Sequence, residues 1–245
     1  MAARVTRLSD LGLTARAGRD PALSGLTADS RAVRAGMLFA ALPGSATHGA
    51  QFIPAALEQG ATAILTDATG AKLAAEVLAD TETALVVAED PRAALACAAA
   101  LWFGPQPETM VAVTGTNGKT SVATFTRQIW AALGLAAINI GTTGIEGAWA
   151  APSSHTTPDA VTLQKLLAAA AADGITHAAM EASSHGLDQR RLDGVRLRAA
   201  GFTNLTQDHL DYHHTMEAYF EAKAQLFTRL LPDDGVAVVN LNGAK

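Results

Sequence analysis

Met110-Val-Ala-Val-Thr-Gly-Thr-Asn-Gly-Lys-Thr-Ser121 decides the fold class of this chain. A short, β-branched apolar run reads as a buried strand. A glycine turn follows, and Gly118-Lys119-Thr120 opens a helix that the pattern carries to Leu133, with Gly134 as its stop. Backbone N–H groups in such a turn wrap a phosphate, and the helix N-terminus behind them favours negative charge. In this geometry Lys119 reaches the terminal phosphates and the Thr120 hydroxyl faces Mg²⁺, so the stretch predicts nucleoside triphosphate binding. The match to the general P-loop pattern is incomplete. Val113 stands where the pattern has its first glycine, and only Thr116 and Asn117 separate Gly115 from Gly118. The competing reading is an ordinary strand–turn–helix corner with a surface lysine. The apolar strand before the turn and the long helix after it argue against that.

From this strand outward, strand and helix alternate. The expected elements are Val111–Thr114, Lys119–Leu133, Ala136–Ile140, Asp159–Ala172, Thr176–Glu181, Arg198–Phe202, Met216–Leu231 and Val236–Asn240. Such alternation predicts an α/β fold with a P-loop-type, mostly parallel, doubly wound sheet. Ligands then lie beyond the carboxyl ends of the strands, where the P-loop, Glu181 to His185 and Thr203-Asn204 all fall. Val236-Ala-Val-Val-Asn240 reads as a buried strand with only Leu241 to Lys245 after it. A doubly wound sheet continues into a covering helix at such a point, so we expect a piece of a longer enzyme, incomplete at the C-terminus. The alternative is a naturally short protein with an edge strand there.

Upstream, Ala61–Thr66 and Ala84–Ala88 read as strands and Pro54–Gly60 as a short helix with a glycine stop. Asp90 caps a helix that Pro91 begins. These elements form a small N-terminal α/β domain. Gly104-Pro-Gln-Pro-Glu-Thr109 is the expected linker, giving domains 1–106 and 107–245.

With 245 residues and 49% hydrophobic content, the chain is long enough for two cores and is not a disordered sequence. Net charge is −5 and no basic tract occurs, which disfavours general nucleic-acid binding. The single cysteine, Cys97, sits in an apolar helical run and reads as a buried structural thiol. There is neither a membrane-length apolar segment nor a signal-peptide core, so we expect no membrane insertion and a cytoplasmic location. We also expect a monomer.

Other candidates are individually weak. Glu181, at a strand end, is placed for Mg²⁺ or for plain solvation. Asp208-His-Leu-Asp-Tyr-His-His214 is dense in possible ligands, yet a polar turn before a helix explains it equally, and the adjacent His213 and His214 do not both face one ion. Lys223 reads as an ordinary helix-surface lysine. Ser183-Ser184-His185 invites a hydrolase reading, but no Gly-x-Ser-x-Gly elbow accompanies it. Thr157 and Pro158 read as cap and first position of the next helix. Arg190 and Arg191 are a solvated pair or a carboxylate clamp.

Taken together the motifs resemble one family. Leu26-Thr-Ala-Asp-Ser-Arg31 with Gly36-Met-Leu-Phe39, Thr114 to Thr120, Thr156-Thr-Pro158, Met180-Glu-Ala-Ser-Ser-His-Gly-Leu187, Gln189-Arg-Arg191, Phe202-Thr-Asn-Leu205, Asp208-His-Leu-Asp-Tyr-His213 and Ala222-Lys223 look like the Mur ligases of peptidoglycan synthesis. The Ser-Ser-His-Gly-Leu and Asp-His-Leu-Asp-Tyr-His segments resemble the MurE branch. The resemblance covers essentially the whole chain in the expected order.

It implies an ATP-dependent amide ligase that joins meso-diaminopimelate or L-lysine to UDP-N-acetylmuramoyl-L-alanyl-D-glutamate through an acyl phosphate. An alanine-rich composition favours diaminopimelate. By resemblance, Gly115, Thr116, Asn117, Gly118, Lys119, Thr120 and Ser121 hold ATP. Thr120, Glu181 and His209 hold Mg²⁺, and Lys223, carbamylated, holds a second Mg²⁺. Ser30 and the loop Ser45, Ala46 and Thr47 contact the uridine nucleotide, and His155, Thr156, Thr157, Ser183, Gln189 and Arg191 grip the muramoyl dipeptide. Lys119, His209 and Lys223 are the expected catalytic set. His155 departs from the asparagine expected in many relatives. The family's C-terminal domain, which selects the added amino acid, has no counterpart, so the chain alone is expected to bind without turning over. A non-catalytic nucleotide or UDP-sugar module of the same fold is the reading from another class. Retention of Lys119, Glu181, His209 and Lys223 together disfavours it.

Overall fold

The structure is a computed structural model that describes residues 6–44, 47–152 and 156–240. Two compact units divide it, Met1–Trp102 and Phe103–Lys245.

The first unit opens with strands β1 (Thr6–Arg7) and β2 (Ala22–Leu23), paired antiparallel. Its main sheet holds β3 (Gly25–Thr27), β4 (Met37–Ala40), β5 (Ala63–Thr66) and β6 (Ala84–Val87), in that order and all parallel. Helices α1 (Ile53–Glu58), α2 (Ala68–Leu73), α3 (Ala75–Ala79) and α4 (Pro91–Phe103) cover it. Strands β4 and β5 are central, and Leu38, Phe39, Ile64 and Leu65 are essentially sealed from solvent. Burial on both faces explains why they read as apolar runs without alternation. Asp90 caps α4 as expected, accepting from the N–H groups of Arg92 and Ala93 at 3.1 and 3.0 Å. Cys97 departs from expectation and is exposed. On α4 the residues Leu95, Ala96, Ala98 and Ala99 turn inward, which leaves position 97 on the outer face.

The second unit contains β7 (Thr109–Thr114), α5 (Lys119–Ala132), β8 (Ala137–Gly141), β9 (Gly144–Gly147), α6 (Ala160–Ala172), β10 (His177–Glu181), α7 (Ser184–Asp188), β11 (Leu197–Phe202), α8 (Leu210–His213), α9 (Met216–Gln225) and β12 (Val236–Val239). The sheet order is β12-β11-β7-β10-β8-β9. All neighbours are parallel except β9, which folds back on β8 as a hairpin. From β7 the chain moves one way to β8 and later returns past β7 to β11 and β12. The carboxyl end of β7 is therefore a switch point, where a crevice opens. Met110, Ile138, Ile140, Leu163, Leu167, Met180 and Leu226 form the core of this unit. Each such side chain contributes roughly 1.5–3 kcal/mol by leaving water.

Three local expectations change. Thr157 is not the cap of α6. Asp159 is, accepting from Val161 and Thr162 N–H at 3.1 and 3.0 Å, while Thr157 is drawn inward to other partners. Helix α9 ends at Gln225 and continues as a π-helical turn, Leu226–Leu230, from which Arg229 bonds the Gln225 amide, the Leu187 carbonyl and Asp193. Strand β12 is exposed along its length, not buried. It lies at the sheet edge, paired only to β11 among the described residues. The expected linker is tied down at Gln106. Its amide donates to Gln164 Oε1 and Gly194 O at 2.9 and 2.8 Å, and accepts from Arg196 N–H at 3.0 Å.

Candidate functional site

Strand β7 delivers the chain into a turn that its neighbours hold rigidly. Gly115 has φ 136°, and a Cβ there would come within 2.0 Å of Thr203 Oγ1, so only glycine fits. Gly118, at φ 85°, hands the chain to α5. The loop after β11 braces the turn from outside. Asn204 accepts from Thr116 N–H through its carbonyl (2.9 Å) and from Asn117 N–H through Oδ1 (3.0 Å). Thr203 Oγ1 and Asn204 Nδ2 both donate to Asn117 O, at 2.7 and 3.1 Å. Thr116 Oγ1 donates to Thr206 O and accepts from Thr206 N–H.

Two lysines converge on this turn. Lys119 Nζ donates to Gly115 O and Thr116 O, both at 2.9 Å. Lys223 Nζ, on α9, donates to the same Gly115 O at 2.8 Å and lies 4.4 Å from the Tyr219 ring centroid. Lys223 is only 1% exposed, which overturns its reading as a surface lysine. Burial, reinforced by the charge of Lys119, pushes its amine down to about 7, against a smaller upward pull from Asp208. Burial also holds Lys119 below the ordinary lysine value, offset in part by Glu181 and Asp208.

Glu181 closes the other side. It ends β10 at 2% exposure and accepts from Thr120 Oγ1 and from Thr142 N–H through Oε1, both at 2.9 Å. A Cβ on Gly141 would overlap the same oxygen, so glycine at that position makes room for the carboxylate. The Glu181 carbonyl accepts from Thr157 Oγ1 at 3.0 Å. Thr157 Oγ1 also meets Ser183 Oγ at 3.0 Å, and Ser183 Oγ caps α7 through Gly186 N–H. Arg191 Nη1 donates to Thr157 O at 2.7 Å, and its other nitrogens hold Gln189 Oε1. Thr156 Oγ1 lies 3.1 Å from Thr142 Oγ1. The structure therefore joins Thr120, Glu181, Thr156, Thr157, Ser183, Gln189 and Arg191 in one hydrogen-bonded chain. Ser183 bonds Thr157 and Gly186, which leaves the hydrolase reading without a serine–histidine pair.

His209 stands apart from Glu181 in this network. It adopts a left-handed φ of 53° at the start of α8, with Nε2 3.6 Å from Asp208 Oδ2 and its ring 4.9 Å from that of His185. His213 is buried beneath it, 5.3 Å from the Tyr219 ring. Among the described residues no three His, Cys, Asp or Glu side chains gather as a metal cluster. Thr120 with Glu181 is the pair of oxygen donors that does come together, and such hard donors fit Mg²⁺.

In the first unit Ser30 opens a 3₁₀ turn just after β3, and Thr47 is exposed, its carbonyl accepting from Gly44 N–H. Ser45, Ala46 and His155 lie outside the described residues. No helix among the described residues is long and apolar enough to cross a membrane.

Residues 113–244 match the Mur ligase middle domain, and residues 22–102 match the segment described as the catalytic domain of the Mur ligase family. The chain belongs to the Mur ligase family. A protein of Brucella melitensis named UDP-N-acetylmuramoyl-L-alanyl-D-glutamate–2,6-diaminopimelate ligase is 54% identical over 218 residues, which is 89% of this chain and 43% of that protein. A protein of the same name from Rhizobium meliloti is 55% identical over 223 residues, with the same two shares. A solved structure bearing that name superposes with a TM-score of 0.77 at 33% identity, over 97% of this chain and 47% of that one. The chain thus spans under half the length of the relatives it matches.

Two residues that build this site carry no signal in the sequence motifs. Thr142 reaches Glu181 only because β8 lies beside β10. Tyr219, buried at 1% exposure, donates to Thr116 Oγ1 at 3.3 Å and joins α9 to the P-loop. Asn204 was legible as part of Phe202-Thr-Asn-Leu205, after a strand, but not as a brace. Its bracing role needs β11 to pair with β7.

Proposed function

We propose that this chain is the UDP-substrate-binding and ATP-binding portion of a ligase that adds meso-diaminopimelate to the D-glutamate γ-carboxylate of UDP-N-acetylmuramoyl-L-alanyl-D-glutamate. One observation carries the reading. The end of β10 joins the two halves of the chemistry, because the Glu181 side chain bonds Thr120 of the P-loop while its carbonyl bonds Thr157. Phosphate-handling groups and carboxylate-gripping groups thereby share a single strand end. The named relatives support the choice of substrate and of diaminopimelate.

The N–H groups of Thr116 and Asn117 are taken by Asn204, so the phosphate cradle falls to those from Gly118 to Ser121, which a helix start leaves without intrahelical partners. A pocket of about 450 Å³ beside it, lined by Phe125, Phe202 and Val239, suits the nucleoside. Lys119 swings from the Gly115 and Thr116 carbonyls to the terminal phosphates and offsets charge as the γ-phosphoryl group passes to the carboxylate. Thr157, Ser183, Gln189 and Arg191 orient the dipeptide. The incoming amine then attacks the acyl phosphate carbon, and the tetrahedral adduct expels inorganic phosphate as the amide forms. Thr120, Glu181, His209 and Lys223 would hold Mg²⁺, which when bound supplies charge neutralisation on the phosphates.

Lys223 meets the chemical requirement for carbamylation. Its neutral amine attacks the CO₂ carbon, an N–C bond forms, and the proton leaves to water. An amine value near 7 makes the neutral form abundant at physiological pH. The first unit holds the uridine nucleotide through Ser30 and Thr47. The location is the cytoplasm, where ATP is supplied, and the working state is a monomer.

The test is in two stages. The 245-residue chain should bind Mg²⁺-ATP by calorimetry and form no amide. The complete parent chain should release phosphate in the presence of the UDP-dipeptide and diaminopimelate. A clear kinetic preference for L-lysine would replace the amino acid in this reading. Absence of nucleotide binding would leave only a UDP-sugar module.

A further inference from the structure

The first unit contains an imidazole–carboxylate pair that no motif above includes. His48 lies at the foot of the turn that follows β4, and Asp67 directly follows β5. Both therefore sit at the carboxyl edge of a parallel sheet, where ligands bind. The His48 ring is bonded at both nitrogens. Nδ1 accepts from Ala50 N–H at 3.0 Å, which leaves the proton of the neutral ring on Nε2, and Nε2 meets Asp67 Oδ1 at 3.0 Å. The same Asp67 oxygen accepts from Gly70 N–H at 2.6 Å and caps α2. Position 70 has no room for a side chain, since a Cβ would fall 2.0 Å from Thr66 Oγ1 and 2.6 Å from His48 Cε1.

The turn is closed at its base by the same residue. Pro43 and His48 form an antiparallel bridge, Gly44 N–H donates to Thr47 O at 3.1 Å, and Gly49 N–H donates to Leu42 O at 2.8 Å. Glycine is required at both ends, because a Cβ on Gly44 would lie 2.5 Å from Thr47 O and one on Gly49 would lie 2.8 Å from the Leu42 backbone. Arg92 on α4 donates to the Pro43 carbonyl from the other side. The described backbone at Gly44 and from Thr47 to Gly49 is thus held by these backbone bonds together with the His48–Asp67 bridge, which spans from the β4 turn to the β5 turn.

We infer that His48 and Asp67 are positioning residues that set Thr47 for the uridine nucleotide. Neither side chain need touch the ligand. Their bond fixes the neighbouring backbone before the ligand arrives, so that binding does not have to order it. The inference rests on the proposal that the first unit binds the uridine nucleotide.

Uridine 5′-diphosphate titrated calorimetrically into the 245-residue chain tests it, with Mg²⁺-ATP titrated into each variant as a check on the second unit. His48→Asn keeps an acceptor for Ala50 N–H but is too short to reach Asp67. It should weaken the diphosphate about tenfold, the scale of one lost hydrogen bond to a charged group. Asp67→Asn keeps an oxygen for both His48 and Gly70 and should stay within about twofold of wild type. Hydrogen exchange at the Gly70 amide should accelerate in His48→Asn and remain slow in Asp67→Asn. Wild-type diphosphate affinity in His48→Asn would overturn the clasp while leaving the nucleotide reading intact. A wild-type chain that binds Mg²⁺-ATP but no uridine diphosphate would overturn the nucleotide reading of the first unit, and the clasp's purpose with it.

Discussion

The two units place their candidate sites in the same way and build them differently. Both use the carboxyl edge of a parallel sheet, β3-β4-β5-β6 in one and β11-β7-β10 in the other. In the first unit the edge is shaped by backbone turns, glycines without room for a Cβ and one imidazole–carboxylate bridge. In the second unit a buried lysine and a buried glutamate, with a half-buried second lysine, sit within a lattice of threonine, serine and asparagine side chains. A site that only holds a ligand needs shape. A site that stabilises moving charge needs charges placed beforehand in surroundings that do not screen them. Burying Lys223 beside Lys119 is costly for the apo chain, and its lowered amine value expresses that cost.

Breaking the charged site should have the largest effect. Lys119→Ala should weaken Mg²⁺-ATP binding on the order of a hundredfold, as expected from losing charge-assisted bonds to phosphate, and leave uridine diphosphate binding unchanged. Calorimetry with both ligands separates the two, and equal losses for both ligands would erase the contrast between units.

The cost of Lys223 should appear as a pH dependence. Unfolded, the amine stays protonated to about 10.5, while folded it loses its proton near 7. Between these values the unfolded chain holds more protons, so this group's contribution to stability rises with pH and its penalty is complete below about 7. In metal-free buffer, the melting temperature of wild type relative to Lys223→Met should therefore climb from pH 7 to pH 10. A flat difference would show that Lys223 is not held neutral by burial.

Thr157→Val removes the hydroxyl that links Glu181, Ser183 and Arg191's partner segment. It should cost about 1–3 kcal/mol in denaturant unfolding, because the Glu181 carbonyl and the Ser183 N–H each lose this hydroxyl as a partner. The smallest effect is expected at Asp159→Ala, which removes the cap of α6, a side chain outside the hydrogen-bonded chain around Glu181. About 1 kcal/mol should be lost with no change in nucleotide affinity.

Much of this was legible in the sequence. The run from Met110 to Ser121 announced strand, turn and helix because the apolar period, the glycines and the lysine all act locally, and the strands of the second unit fell within a residue or two of their expected ends. Short elements escaped notice. Strand β3 is Gly-Leu-Thr and β9 is Gly-Ile-Glu-Gly, each with one large apolar residue and so no apolar run to mark it as a strand. Thr157 was misread as a cap because Thr-Pro-Asp offers two capping residues in a row, and local sequence does not say which of them the core will claim. The burial of Lys223 was unreadable for the same reason, since it depends on what packs over the lysine.

The sequence by itself determined the alternation of elements, the glycine turn between β7 and α5 and the family, because each rests on neighbours along the chain. Only the tertiary structure decided that Glu181 meets Thr120 across 61 residues, that Asn204 braces Asn117 across 87, and that Lys223 reaches Gly115 across 108. Those contacts follow from strand order, with β11 and β10 on either side of β7. Strand order is settled by long-range packing of apolar faces, whose partners no local pattern specifies.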